Sequence, residues 1–170
     1  MSTEGRDTRQ GLVLGFIAYA AVALFYSIFD VLAARGTLFT VNMLGLSVFR
    51  GMRDASVLTG PVPVDSQAVF LYNALHLVLS LLIGLVVMRF VAQAERRPSQ
   101  AWQMYAFIAA GYVVTILAVG YLTPHIRHVL PWWSIVAANS AAVVAGAAYV
   151  LRARPGLFGQ PIGTPANGIA

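Results

Sequence analysis

The sequence predicts an all-α integral membrane protein with four transmembrane helices in an up-down bundle. Hydrophobic residues make up 59% of the 170 residues and charged residues only 10%, against about 25% charged residues in soluble globular domains. The mean hydropathy is +0.75. Four apolar stretches are each about as long as a helix needs to be to cross a hydrocarbon core of roughly 30 Å. We therefore expect one membrane domain, residues 11–151, between a polar tail at 1–10 and a flexible tail at 152–170.

The four predicted spans have signals at their ends. We expect them at about residues 11–34, 67–88, 101–122 and 132–151. Asp65 or Ser66 can cap the start of the second span, while Pro98 and Pro124 end the second and third because proline cannot continue a helix. A cleavable signal peptide is the alternative for the first stretch. However, an apolar signal region is only about 7 to 15 residues long, which favours a true span.

The connection between the first two spans contains a segment with two faces, about residues 38–53. Apolar residues recur there at helical spacing: Leu38, Val41, Leu44, Val48 and Met52. Polar residues lie opposite them: Thr40, Asn42, Ser47, Arg50 and Arg53. The segment is too short to span a bilayer, so the pattern predicts a short amphipathic helix that is interfacial or re-entrant. A helix packed over the mouth of the bundle is the alternative.

The arginines predict the orientation of the chain. Seven of them fall on the side that holds both tails: Arg6, Arg9, Arg89, Arg96, Arg97, Arg152 and Arg154. Four fall on the other side: Arg35, Arg50, Arg53 and Arg127. The positive-inside bias therefore places both termini in the cytoplasm. Because every basic residue is arginine, a bias typical of GC-rich bacterial genomes, we expect a bacterial cytoplasmic (inner) membrane.

Several side chains fit the membrane interface. Trp102 begins the third span, and Trp132 and Trp133 begin the fourth, at the depth where aromatic belts lie. Arg50 and Arg53 on the amphipathic segment suit the same zone. The lipid bilayer is therefore an expected partner. The basic residues form no stripe with interleaved aromatic residues, so nucleic-acid binding is not expected.

The spans carry polar side chains that lipid tails cannot satisfy, so these should face inward. Six form a predicted polar cluster in the outer half of the bundle: Tyr26, Asp30, Asn73, His76, Thr115 and Asn139. At about 1.5 Å of rise per residue, Asp30 is the shallowest member, roughly 6 Å from the outer end of its helix, and His76 is the deepest, at roughly 13 Å. The cluster suggests a proton-carrying pair, Asp30 and His76, or a small-ligand pocket. The alternative is that Asp30 is solvated by headgroups or paired with Arg35, and that His76 is a hydrogen-bonded core residue.

Most enzymatic and cofactor chemistries lack support in this sequence. There is no cysteine, which removes thiolate ligands and nucleophiles. His125 and His128 could share a metal at i, i+3, but no carboxylate or thiolate accompanies them, so no metal and no cofactor are predicted. No GxSxG, HExxH or P-loop pattern is present. Catalysis is therefore not expected.

These observations lead to three expectations about function. The first is a non-catalytic accessory or assembly subunit of a larger membrane complex, held to a partner or to its own copies through small residues. Such residues recur every four positions at Gly11 and Gly15 and again at Ala138, Ala142 and Gly146. Packing within the chain is the alternative use of these residues. The second expectation is a small carrier or proton-coupled permease that uses the polar cluster, and the third is a cytochrome b-like electron carrier.

Overall fold

The computed structural model describes residues 3–52, 62–127 and 129–155, which form five α-helices and no β-strand. The helices are α1 (Thr3–Leu32), α2 (Phe39–Phe49), α3 (Ser66–Arg96), α4 (Ala101–Leu122) and α5 (Trp132–Ala153). Short 3₁₀ turns at Pro98–Gln100 and Pro124–Ile126 precede α4 and follow it. The predictions for Arg53, His128 and residues 156–170 lie outside the described residues.

Four of these helices are long and apolar enough to cross a membrane: α1, α3, α4 and α5. Their most apolar 18-residue windows have mean hydropathies between 1.7 and 2.3. This confirms the prediction of an all-helical chain with four long apolar helices. The fifth helix, α2, has only 11 residues, which span about 16 Å, so it is too short to cross.

Two helices extend further than the sequence patterns predict. α1 begins at Thr3 rather than at residue 11, and α3 continues to Arg96 rather than ending at Met88. Neither added segment contains a proline or glycine that would end a helix, apart from Gly5 in the first turn of α1. Hydropathy marks only the part of a helix that lies in hydrocarbon, so a polar extension is invisible to it.

Glycines bring the backbones of α1 and α3 into direct contact. A Cβ atom added to Gly11 would lie 2.8 Å from the Leu85 Cα, and one added to Gly84 would lie 2.5 Å from the Gly15 backbone nitrogen. No side chain larger than glycine fits at such separations. The small residues of α1 therefore serve packing within the chain, which was the alternative to partner binding.

The ends of the helices pair in a consistent way. The start of α1 lies against the ends of α3 and α5, where Arg154 contacts Gln10 and Glu95. The end of α1 meets the start of α5, where the Phe29 and Trp133 rings lie 5.5 Å apart. On α5, Ala138 and Gly146 are buried, so small residues of this helix are also used inside the chain. α4 packs least, with only Met104 and Gly120 buried among its 22 residues.

Polar residues of α2 point into the protein together with part of its apolar face, since Leu44 is only 6% exposed. Thr40, Asn42 and Ser47 are at most 3% exposed, whereas Leu38 is 45% exposed. Asn42 explains part of this orientation, since its Nδ2 donates to the Pro63 carbonyl and its Oδ1 accepts from the backbone N–H of Asp65. Through these hydrogen bonds, α2 holds the segment that leads into α3, at Pro63 and Asp65.

Candidate functional site

A small cavity of about 40 Å³ lies between α1, α2 and α3. Its lining contains apolar and polar side chains: Val22, Tyr26, Thr40, Val41, Leu44, Tyr72, Asn73 and His76. Three members of the predicted polar cluster, Tyr26, Asn73 and His76, therefore meet at one place. A volume of this size holds a few water molecules, because each needs roughly 10 to 15 Å³ measured in this way.

Tyrosines from two helices surround the His76 imidazole. Its ring centre lies 5.2 Å from that of Tyr19 on α1 and 6.2 Å from that of Tyr72 on its own helix. Next to it, Asn73 accepts a 3.1 Å hydrogen bond from the Tyr19 hydroxyl and donates from Nδ2 to the Val69 carbonyl. These contacts fix the side-chain amide of Asn73. The two ring nitrogens of His76 can form hydrogen bonds with a small ligand.

Asp30 is the centre of a compact ionic group beside this cavity. Its side chain is 1% exposed, and its two oxygens accept from the Arg35 guanidinium at 3.1 Å and from both the N–H and the hydroxyl of Thr40 at 2.6 Å. We name Asp30, Arg35 and Thr40 the Asp30 centre. This arrangement matches the alternative prediction, in which Asp30 pairs with Arg35. Thr40 also lines the cavity, so the two features touch.

Arg35 is itself held on several sides. Its Nη1 donates to the Val129 carbonyl at 2.8 Å, and its guanidinium carbon lies 4.9 Å and 4.7 Å from the ring centres of Phe29 and Phe39. Such stacking on aromatic faces stabilises a cation. The Asp30 centre therefore joins α1, α2 and the connection between α4 and α5.

Thr115 and Asn139 do not join the cavity. The Thr115 hydroxyl donates to the Gly111 carbonyl at 2.8 Å, and Asn139 Nδ2 donates to the Ile135 carbonyl at 2.8 Å. Both bonds reach back one turn on the residue's own helix, which lets a polar side chain satisfy a donor without a neighbouring helix. The structure thus divides the predicted cluster, because depth along a helix does not determine which way a side chain points.

A second ionic group, at the other end of the bundle, has no counterpart in the sequence predictions. Arg154 donates to Gln10 at 2.8 Å, to Glu95 at 2.6 Å and to Asp7. Its side chain is only 4% exposed. We name these four residues the Arg154 centre, which joins α1, α3 and α5. The sequence offered one signal for it: the polar residues from Thr3 to Gln10 continue α1 without a helix breaker.

The predicted interfacial residues have mixed surroundings. Trp102, Trp132 and Trp133 are exposed, and the Trp132 ring lies 4.1 Å below the Arg127 guanidinium. Arg50, by contrast, is engaged by the chain itself, with Nε 2.9 Å from an Asp65 oxygen. The hydrogen bond from Arg50 holds the pKa of the Asp65 carboxyl below its ordinary value of 3.8.

His125 lies near α2, where its Nε2 is 3.0 Å from the Ser47 hydroxyl. In the part of the chain that the structure describes, no group of three His, Cys, Asp or Glu residues is placed to hold a metal ion. No protein-family model matches the chain, and no curated protein or solved structure matches it. The fold itself defines the class: a helical protein with four helices able to cross a membrane.

Proposed function

We propose that this chain is a non-catalytic polytopic membrane protein that serves as an accessory or assembly subunit of a larger membrane complex. The observation that carries the proposal is the sparse packing of α4, where only Met104 and Gly120 are buried. Much of the polar chemistry of the other helices is directed inward, as in the Asp30 and Arg154 centres. The largest share of a long helix left exposed for a partner is therefore on α4.

The exposed side of α4 suits close approach by another helix. Ala106, Ala110, Gly111 and Ala118 are exposed on it, and a Cβ atom added to Gly111 would meet nothing within 4 Å. Small residues let helix backbones approach closely in lipid. The partner surface proposed here replaces the one expected on α1, whose Gly11 and Gly15 pack against α3.

The proposed setting is a bacterial inner membrane, with an up-down bundle and both termini in the cytoplasm. The pairing of the α1 start with the ends of α3 and α5 supports this arrangement. The excess of arginine on the same side supports the orientation. We place α2 at the outer interface, where the exposed side chains of Phe49 and of Leu38, the residue just before α2, would contact lipid.

The size of the purified particle tests this proposal. In mild detergent, we expect a protein mass well above 18.2 kDa, measured by native gel or by light scattering with the detergent subtracted. Val114→Trp should reduce that mass, because Val114 lies on α4 and is 63% exposed. Val144→Trp is the matched control on α5, at 69% exposure, and should leave the mass unchanged. Migration of the wild-type protein as a lone monomer contradicts the proposal.

A second candidate is a small carrier or proton-coupled permease that works as a homo-oligomer. The cavity that holds His76, Asn73 and Tyr26 favours it, because polar groups inside a membrane bundle often mark a pathway. His76→Ala and Asp30→Asn should then abolish uptake or pH-dependent leak in proteoliposomes. Asn139→Ala is the control, since Asn139 does not line the cavity. Unchanged flux in both test variants removes this candidate.

The third candidate, a cytochrome b-like carrier, needs two imidazoles on one iron. His76 lies between Tyr19 and Tyr72, whereas His125 contacts Ser47, so the two rings have different surroundings. An absorption spectrum decides the matter, because purified protein without a Soret band excludes bound haem.

A further inference from the structure

One end of the bundle carries a set of exposed arginines, which we name the arginine end. They come from α1, α3, the turn after α3, and α5: Arg6, Arg9, Arg89, Arg96, Arg97 and Arg152. Among the described residues, none of the six forms an ion pair or stacks on an aromatic ring. They are therefore available to an external anion.

The Arg154 centre takes up carboxylates that could otherwise pair with some of these cations. The described part of this end has three carboxylates, Glu4, Asp7 and Glu95. Arg154 binds two of them, Asp7 and Glu95. Six exposed arginines therefore face a single remaining carboxylate, that of Glu4.

The opposite end of the bundle differs in this respect. Its described arginines are all engaged by the chain: Arg35 with Asp30, Arg50 with Asp65, and Arg127 with the Gly120 carbonyl and the Trp132 ring. Among the described residues, unpaired positive charge is thus concentrated at the arginine end, because at the opposite end only Arg127 lacks a carboxylate partner. This asymmetry comes from pairing in the folded chain and is sharper than a count of arginines in the sequence.

Helix lengths place the arginine end at the level of lipid headgroups. α1 and α3 have 30 and 31 residues, or about 45 Å at 1.5 Å per residue, while the hydrocarbon core is roughly 30 Å thick. Charged residues avoid hydrocarbon, so the excess length belongs to the charged segments, residues 3–10 and 89–96. These segments lie where phosphate groups are found.

We propose that the arginine end binds the phosphate groups of anionic phospholipids in the leaflet that surrounds it. Arginine suits this role because its planar guanidinium can donate two parallel hydrogen bonds to a phosphate. Basic residues near an anionic bilayer surface contribute about 1 kcal/mol each, or roughly a fivefold change in binding. The inference does not depend on the proposed function, since a monomer with no partner subunit would show it equally.

Lipid retention measured by native mass spectrometry tests the proposal. The protein is equilibrated in detergent with equal amounts of phosphatidylglycerol and phosphatidylcholine of the same acyl chains. We expect several-fold more phosphatidylglycerol bound per chain, with the preference weakening as salt increases. Arg89→Gln/Arg96→Gln/Arg97→Gln should remove most of the preference, and Arg6→Gln/Arg9→Gln should reduce it independently from another helix.

Two controls separate lipid binding from other causes. Arg50→Gln removes one arginine at the opposite end and should leave the preference unchanged. Replacing the same three α3-end arginines by lysine keeps the charge and should retain most of the preference, while helicity by circular dichroism verifies that each variant is folded. Equal retention of the two lipids by the wild-type protein overturns the proposal. It is also overturned if the glutamine variants keep the lipid preference, including the case in which they release a bound protein but retain phosphatidylglycerol as the wild-type protein does.

Discussion

The two buried ionic centres lie at opposite ends of the bundle and are built in contrasting ways. The Asp30 centre surrounds an anion with groups no more than ten residues away in the chain. The Arg154 centre surrounds a cation with groups 59, 144 and 147 residues away. The bonds to Asp30 are therefore local, between the end of α1 and the start of α2, and only Arg35 reaches a distant segment, at the Val129 carbonyl. The Arg154 centre instead ties three distant helices together. The difference implies that losing the Arg154 centre should loosen the whole bundle, while losing the Asp30 centre should have a smaller effect.

Removing the arginine of the long-range centre should have the largest effect. Arg154→Leu would leave Asp7 and Glu95 partly buried without their cation, and breaking such a pair costs about 4 kcal/mol. Reversible unfolding in mixed micelles, followed by circular dichroism, measures the loss of unfolding free energy. Arg152→Leu is the matched control, because Arg152 is exposed and should change stability by no more than about 0.5 kcal/mol. Equal losses in the two variants would contradict the contrast between the centres.

Separating α1 from α3 should come next. Gly84→Leu places a side chain where a Cβ already meets the Gly15 backbone, and forcing the helices apart should cost about 3 kcal/mol. Gly111→Leu is the control, since a Cβ there meets nothing within 4 Å. Gly84→Leu should be less than additive with Arg154→Leu, because both act on the α1–α3 contact, and additive with Asp30→Asn. Additivity with both variants would show that the Arg154 centre does not hold these helices together.

Neutralising the local centre should have a moderate effect. Asp30→Asn keeps an oxygen for the Thr40 N–H but loses the charge opposite Arg35, a loss of about 2 kcal/mol. Arg35 retains the Val129 carbonyl, which limits the damage. A double-mutant cycle with Arg35→Gln should show a double variant less destabilised than the sum of its parts. A purely additive result would mean that the ion pair itself contributes little.

The exposed pair of Arg50 and Asp65 should give the smallest effect, and one that depends on pH. The pKa of Asp65 is lowered in the folded state by Arg50, so the pair stabilises the protein at pH values above 3.8. That contribution is lost as the pH falls below 3.8 and through the lower folded-state pKa. Wild-type protein and Asp65→Asn should therefore differ slightly at pH 7 and converge as the pH falls below the folded-state pKa of Asp65. A difference that grows towards low pH would contradict the assignment.

The four long apolar helices could be predicted from sequence because lipid imposes a simple requirement on length and polarity. The pairing of Asp30 with Arg35 could also be proposed from sequence as an alternative, since the two residues are five positions apart. From the sequence, Arg154 counts only as a charge of the tail, because nothing local connects it with Asp7 or Glu95. Contacts between distant helices leave no periodic signal in a single sequence.

The orientation of individual helices was harder to predict than their existence. Depth placed Thr115 and Asn139 level with His76, yet both bond back to their own helices. In α2 the pattern showed two faces but not that the polar residues would be buried beside Leu44 of the apolar face. Thr40 and Asn42 point inward because their hydrogen-bonding partners, Asp30 and the Asp65 N–H, lie there. Hydropathy alone does not express this preference.

The different reach of the two centres also has a consequence for synthesis on the ribosome. Thr40 follows Asp30 by ten residues, so the first centre can assemble soon after α1 has been translated and while α3 is still to be made. Arg154 follows α5, the last of the long helices, and its bonds to Asp7 and Glu95 cannot form until every earlier span has been delivered to the bilayer. We expect a chain truncated before residue 154 to insert its helices without this link among α1, α3 and α5, and to be cleaved faster by quality-control proteases than the full-length chain.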